Sequence, residues 1–141
     1  MAEVGPINQE QFDEVISLYE RVGYGAGLAT DDLVIGARVA HDLVGVVRLA
    51  TENEILLLRG MYVLNEFQRQ GIGLAMLHAV EDFLGNRECW CIPYAHLGSF
   101  YMNAGFVERT IDAAPGFLAE RLKAYSELGR QVILMHRAAG D

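Results

Sequence analysis

The sequence is short of cysteine, of cations and of long apolar runs, and each shortage narrows what the chain can be. Only two cysteines occur, Cys89 and Cys91, on either side of Trp90. Two thiols two residues apart along a strand have poor geometry for a bridge. No further ligands stand at zinc spacing, so both read as buried thiols acting as small apolar groups. Lys and Arg number 11 against 19 Asp and Glu, giving a net charge of −8. That balance argues against broad binding to nucleic acid or an anionic membrane, since both need basic patches. No apolar run approaches the roughly 20 residues that span a bilayer. Met1 to Pro6 holds no basic stretch followed by an apolar one. No signal peptide is therefore expected, and a cytoplasmic location is the default. Repeats, low-complexity tracts and linkers are absent, so residues 1–141 read as a single domain able to bury a core.

What is present is organised around residues 61–76. The apolar run Ile55 to Val63 reads as a buried strand, and Ile72, Met76, Ala79, Val80 and Phe83 keep helical spacing. Between them lies a short loop ending in Gly71 and Gly73. A strand, a turn rich in backbone N–H groups and a helix N-terminus together suit an anionic phosphate. The glycines let a pyrophosphate approach the backbone, and Arg69 adds a positive charge. A dinucleotide fingerprint would need a small residue where Met76 stands, and a P-loop would need Gly-Lys-Ser/Thr; neither is present.

Along the rest of the chain, Val4 to Ile7 reads as a short edge strand, as Pro6 disfavours a central one. Asn8 is a plausible N-cap for a helix carrying Phe12, Val15, Ile16, Tyr19 and Val22, stopped by Gly23. Tyr24 to Asp32 is a loop. Leu33 to Ala40 and Leu43 to Ala50 form a hairpin separated by His41-Asp42, and Thr51-Glu52-Asn53 turns the chain into the strand Glu54 to Val63. Gly60, inside that strand, marks a bulge or a close approach by a ligand. Gly85-Asn86 stops the helix after Gly71. Glu88 to Ile92 is a strand parallel to the one before the helix, Leu97 to Ala104 a short helix, and Phe106 to Ile111 a strand. Pro115 opens a helix with Leu118, Leu122, Tyr125 and Leu128 on one face, and Val132 to His136 is a last strand.

The spacing Gln68-x-x-Gly71-x-Gly73 resembles the Q/R-x-x-G-x-G/A coenzyme A motif of the GNAT acetyltransferase superfamily. Phe100-Tyr101-Met102-Asn103-Ala104-Gly105-Phe106 resembles that family's F-Y-x-x-x-G-F. The order of elements is similar too. The resemblance implies an α/β fold: a mixed, mostly antiparallel sheet flanked by helices, its central strands splayed around acetyl-CoA. It implies that Met61, Tyr62 and Val63 lie along the pantetheine arm. Gln68, Arg69, Gln70, Gly71, Ile72, Gly73 and Leu74 would then surround the pyrophosphate. The Met61 amide is placed to act as an oxyanion donor. Tyr101 matches the tyrosine that protonates the leaving thiolate, and the loop Tyr24 to Asp32 would line the acceptor site.

The chain departs from the family at two places. Where some members carry a glutamate base, fourteen residues before the first motif glycine, this sequence has Leu57. Glu54, Tyr94 and His96 are the candidates for that task, acting through water, unless the acceptor is already partly neutral. Tyr94 also stands where many members carry a cofactor-binding asparagine. Tyr94 and His96 read as a shaped loop on the acceptor side.

Arg59 lies in an apolar strand, and a buried guanidinium needs a carboxylate or phosphate partner. By strand alternation Arg59 shares a face with Met61. It therefore either reaches an acceptor carboxylate or closes an internal salt bridge, for instance to Glu54 or Glu81. The expected function is an acetyl-CoA-dependent N-acetyltransferase acting by direct attack of a primary amine in a ternary complex. The acceptor, a small-molecule or peptide amine, is not written in the sequence; Arg59 points to a small molecule bearing a carboxylate. The alternative is a non-catalytic coenzyme A-binding regulatory module. Neither metal, nucleic acid nor membrane is expected as a partner, and a homodimer is left open.

Overall fold

A computed structural model of the chain describes residues 2–25 and 27–140. The chain divides into two compact units, Met1–Phe83 and Leu84–Asp141. In the first, β1 (Glu3–Pro6), β2 (Leu33–Val39), β3 (Asp42–Glu52) and β4 (Ile55–Val63) pair in sequence, each antiparallel to the next. Pro6 is tolerated because β1 pairs only with β2 within this unit. Both hairpin turns have two consecutive residues with positive φ, Ala40-His41 and Asn53-Glu54. That is the primed turn whose twist suits a tight hairpin. The first turn therefore falls one residue earlier than expected, and Asp42 opens β3.

Helix α1 (Phe12–Val22) buries Val15, Leu18 and Tyr19, while Ile16 is exposed. Asn8 does not cap it: a 3-10 turn over Gln9–Gln11 intervenes, and the Asn8 side chain makes no capping bond. The helix ends as its glycine predicts. Gly23 has φ +78, and the Tyr24 amide donates to the Tyr19 carbonyl at 2.9 Å. This left-handed cap fixes where Tyr24 leaves the helix. A bidentate ion pair from Arg38 to Glu14, at 2.8 and 3.0 Å, ties α1 to β2 and holds the Glu14 carboxyl below its usual range. Helix α2 (Ile72–Leu84) buries Ile72, Met76, Leu77, Val80 and Leu84; Phe83, expected on that stripe, is exposed.

In the second unit β7 (Leu134–Arg137) is flanked by β5 (Cys89–Cys91) and β6 (Val107–Arg109), antiparallel to both. The last strand starts later than expected, since Val132 makes only an isolated bridge to Tyr94. A 3-10 turn over Ala95–Leu97 leads into α3 (Gly98–Met102), and α4 (Gly116–Glu127) follows Pro115. Leu118 is its buried anchor; Leu128, expected on the same face, lies past the helix end and is exposed.

Arg137 binds this unit together by donating to the carbonyls of Ala104, Arg87 and Gly85. His136 is buried against Trp90, with Nε2 2.6 Å from Glu88 and Nδ1 3.4 Å from Arg109. Arginine can only donate, so Nδ1 accepts and Nε2 carries the proton offered to Glu88.

Candidate active site

Strand β4 is not regular. Arg48 of β3 sits opposite Arg59, and Val46 sits opposite Tyr62. Val47 alone therefore faces two residues of β4, Gly60 and Met61, which is a β-bulge. Gly60 supplies the left-handed φ of +68 that the bulge needs. Its carbonyl, turned out of the ladder, accepts from Tyr19 Oη at 2.9 Å. Burial pushes the Tyr19 hydroxyl well above the usual phenol range against the opposing pull of Arg48, so it stays protonated as a donor.

The bulge corrects one expectation. Simple alternation puts Arg59 and Met61 on one face. The extra residue resets the alternation, so Arg59 shares its face with Tyr62 instead. On that face the Tyr24 ring lies 5.1 Å from Tyr62 and 4.8 Å from Tyr19, centre to centre. Arg59 Nε donates to Tyr24 Oη at 3.2 Å, and Arg59 Nη1 lies 2.9 Å from Glu52. The ion-pair partner of Arg59 is thus Glu52, rather than Glu54 or Glu81. Glu54 sits exposed in the β3–β4 turn.

Arg48 is the cation that sequence reasoning passed over. Only 2% exposed, it pairs with Asp32 at 2.8 Å, also donates to the Gly27 carbonyl, and lies 5.9 Å from the Tyr19 and Tyr24 ring centres. Asp32 in turn accepts from the Ala29 amide at 3.0 Å. The same signal that marked Arg59, a charge inside an apolar strand, was present at Arg48. Tyr24, Tyr19, Asp32 and Glu52 carried no local signal of their own.

Beyond the bulge, β4 runs through Tyr62 and Val63 into a 3-10 turn, Asn65–Phe67, and then the glycine loop. Gln68 Nε2 donates to the Val63 carbonyl at 2.9 Å and to Asn65 Oδ1 at 3.2 Å, bracing the loop against the strand end. Arg69 has φ +64 and Gly71 φ +83. The Gly71 carbonyl accepts the Ala75 amide at 3.0 Å, opening α2. A methyl group built on Gly71 would meet nothing within 4 Å. Open space therefore lies in front of this backbone, at the positive end of a 13-residue helix. A cleft of about 380 Å³ borders it, lined by Ala2, Val39, Gln70, Gly71, Ile72 and Ala75. Gln68, Arg69 and Gln70 are exposed around the turn, as is Leu74, while Ile72 is buried and Gly73 half-buried. These features fit an anionic ligand on the loop.

In the second unit Tyr101 is buried in α3 against Phe100 and Phe106, with ring centres 5.1 and 6.3 Å away. Tyr94 and His96 are exposed and stacked, 6.1 Å between ring centres. Cys89 and Cys91 are buried and not in a disulfide, and burial raises Cys91 far above the usual thiol range. Among the described residues no cluster of three metal-ligating side chains occurs, and no helix is long and apolar enough to cross a membrane.

Comparison with known proteins agrees with this architecture. No curated protein matches the sequence significantly. The ribosomal-protein-S18-alanine N-acetyltransferase of Escherichia coli superposes with a TM-score of 0.72 at 17% identity, covering 100% of this chain and 96% of that one. The PaiA N-acetyltransferase of Thermoplasma acidophilum, solved with coenzyme A, gives 0.64 at 16%, covering 98% and 99%. N-acetylglutamate synthase of Neisseria gonorrhoeae, solved with coenzyme A and N-acetyl-glutamate, gives 0.70 at 16%; this chain is covered fully and spans 36% of that one. The fold is the expected one, α/β with mostly antiparallel strands and flanking helices. A family model described as an acetyltransferase (GNAT) domain matches residues 30–108, more than half of the sequence, and the chain belongs to that family.

Proposed function

We propose that the protein is an acetyl-CoA-dependent N-acetyltransferase in which a primary amine attacks the thioester directly within a ternary complex. The observation that carries this reading is the pairing of the Gly60–Met61 bulge with the open Gly71 turn along one continuous strand, loop and helix. Amides of Arg69 to Leu74 hold the pyrophosphate, with the α2 dipole adding to their attraction. Backbone groups of Met61, Tyr62 and Val63 hold the pantetheine arm, and Gln68 keeps the loop in place. Relatives of the same fold were solved with coenzyme A, which supports the same ligand here.

Chemistry at the carbonyl needs an oxyanion donor and an acid for the departing thiolate. The Met61 amide serves as the donor, since a bulge frees backbone groups from the ladder. Tyr101 serves as the acid. An acetylated cysteine has no place in the scheme. The thiolate is the nucleophilic form, and a buried thiol held far above its ordinary range, as Cys91 is, stays protonated. Tyr94 and His96 are assigned to acceptor binding. Arg59 is too, acting through Tyr24 because Glu52 already meets its charge. Coenzyme A chemistry suits a cytoplasmic protein.

The test joins binding to turnover. Acetyl-CoA at 100 times its Kd should stabilise the native state by about 2.7 kcal/mol. Thiol should be released when amines are added. Failure to see either a raised melting temperature or any thiol release overturns the reading.

A further inference from the structure

The proposed transfer leaves the acceptor open, and the face around Tyr24 speaks to its chemistry. Two arginines, Arg48 and Arg59, stand opposite each other on β3 and β4. Like charges in that register repel, yet each has its own carboxylate, Asp32 at 2.8 Å and Glu52 at 2.9 Å. The four formal charges cancel. A ligand carboxylate arriving here would meet two resident carboxylates as well as two cations, so the face offers it little net attraction.

The hydroxyl of Tyr24 offers something different. It accepts from Arg59 Nε, so its own hydrogen points elsewhere, and it has no acceptor among the described residues. The ring is packed against the bulge: a methyl group on Gly60 would lie 3.2 Å from Tyr24 Cε2. Gly60 directly precedes Met61, where the thioester oxygen is placed in the reading above. The structure thus keeps a hydroxyl with a hydrogen to donate on a ring packed against the residue that precedes Met61.

The missing base points the same way. Leu57 occupies the position of the family glutamate and is buried. On this face Asp32 and Glu52 are committed to ion pairs. With no carboxylate base on this face among the described residues, an acceptor that arrives partly neutral is favoured. An α-amine with pKa of about 7.7–8.0 does so near pH 7.5, whereas an ε-amine near 10.4 is neutral roughly 200-fold less often. A free α-carboxylate beside the amine would hold it protonated. A neutral carbonyl would not, and it also gives the Tyr24 hydroxyl an oxygen to hold.

We infer that the acceptor is an α-amine next to a neutral carbonyl, the chemistry of an amino-acid amide or a peptide N-terminus, and that Tyr24 is its specificity-determining residue. This rests on the acetyltransferase reading. Tyr24 donates to the acceptor carbonyl while the amine attacks the thioester carbon. The C–N bond forms, the C–S bond breaks, and the amine proton leaves to solvent.

The experiment uses the full chain with saturating acetyl-CoA and follows thiol release. Matched sets of free amino acids, their carboxamides, tripeptides with the same first residue, and Nα-blocked lysine are compared. Carboxamides or tripeptides should exceed the free acids and the blocked lysine at least about tenfold in kcat/KM. With the best acceptor, kcat/KM should rise with pH and level off above about 8. Tyr24→Phe should raise the KM of that acceptor roughly tenfold while leaving the acetyl-CoA KM unchanged, as expected for one lost hydrogen bond.

Similar rates on carboxamide and tripeptide support the inference with a small amide as the source. A marked preference for the tripeptide supports it with a peptide as the source. Free acids or the blocked lysine matching or beating the amides would overturn it in the wild-type protein, without reliance on a variant. So would a Tyr24→Phe enzyme with unchanged acceptor KM. Acetyl-CoA binding with turnover confined to carboxylate-bearing or ε-amines would defeat this inference alone. Loss of both binding and turnover would defeat the acetyltransferase reading beneath it.

Discussion

Gly60→Ala tests whether the bulge is built as described. Its φ of +68 is left-handed, and an L-residue there costs about 1–2 kcal/mol. The new methyl group would overlap Tyr19 Oη and lie 3.0 Å from Tyr19 Cζ, so that ring must shift. The shift forfeits the Tyr19–Gly60 hydrogen bond, worth about 1 kcal/mol. The total is about 2–3 kcal/mol. For a chain of 141 residues each kcal/mol moves the melting temperature by about 3–4 °C, so a fall of about 6–12 °C should appear in differential scanning calorimetry.

Tyr19→Phe alone should cost about 1 kcal/mol through the same bond. The double variant should then fall short of the sum by about 1 kcal/mol, because both changes remove one interaction. A Gly60→Ala protein melting within about 2 °C of wild type, or a strictly additive double variant, would refute the geometry of the bulge.

Replacing both Gly71 and Gly73 by Glu should abolish the rise in melting temperature caused by acetyl-CoA, because side chains and negative charge then fill the loop; an undiminished rise would remove the pyrophosphate from this turn. Tyr101→Phe should slow turnover roughly 100-fold, in the range for loss of a proton donor, with the acetyl-CoA KM unchanged; wild-type turnover with chemistry rate-limiting would strip Tyr101 of the acid role. Arg48→Met should cost about 3–5 kcal/mol by stranding the buried Asp32, and adding Asp32→Asn should return part of that loss in a denaturant titration; no recovery would mean the pair is not the source of the cost.

Much of the fold was legible because its signals are local. Three apolar runs with short polar breaks gave β2, β3 and β4, and glycines marked the ends of α1 and α2. Each of these depends on a few adjacent residues. The glycine loop was legible for the same reason. What failed was whatever depended on a count or a distance. Gly60 marks a bulge in the sequence, but strand alternation alone does not carry its consequence for the neighbours. One inserted residue moves every later side chain to the other face. Arg59 was thereby aligned with Met61 in the sequence and with Tyr62 in the molecule. Helix faces differ from the period at their ends, where Phe83 and Leu128 keep the spacing but are exposed.

The arginine pair shows why the candidate site was harder to read than the fold. Arg48 and Arg59 meet only because the β3–β4 hairpin places them in register. Their carboxylates come from elsewhere: Glu52 from the end of β3, seven residues from Arg59, and Asp32 from the loop before β2, sixteen from Arg48. Each cation alone, in an apolar strand, forecasts a partner but not which one. A buried guanidinium left unpaired would cost several kcal/mol, so the loop carrying Asp32 is held to β3 by necessity. That same loop begins at Tyr24, whose amide donates to the Tyr19 carbonyl and whose ring lies against Tyr19, Tyr62 and the bulge. The two arginines that these carboxylates pair with also meet Tyr24, Arg59 through its hydroxyl and Arg48 over its ring. Loosening the Arg48–Asp32 pair should be felt in acceptor affinity before it is felt at the coenzyme A loop.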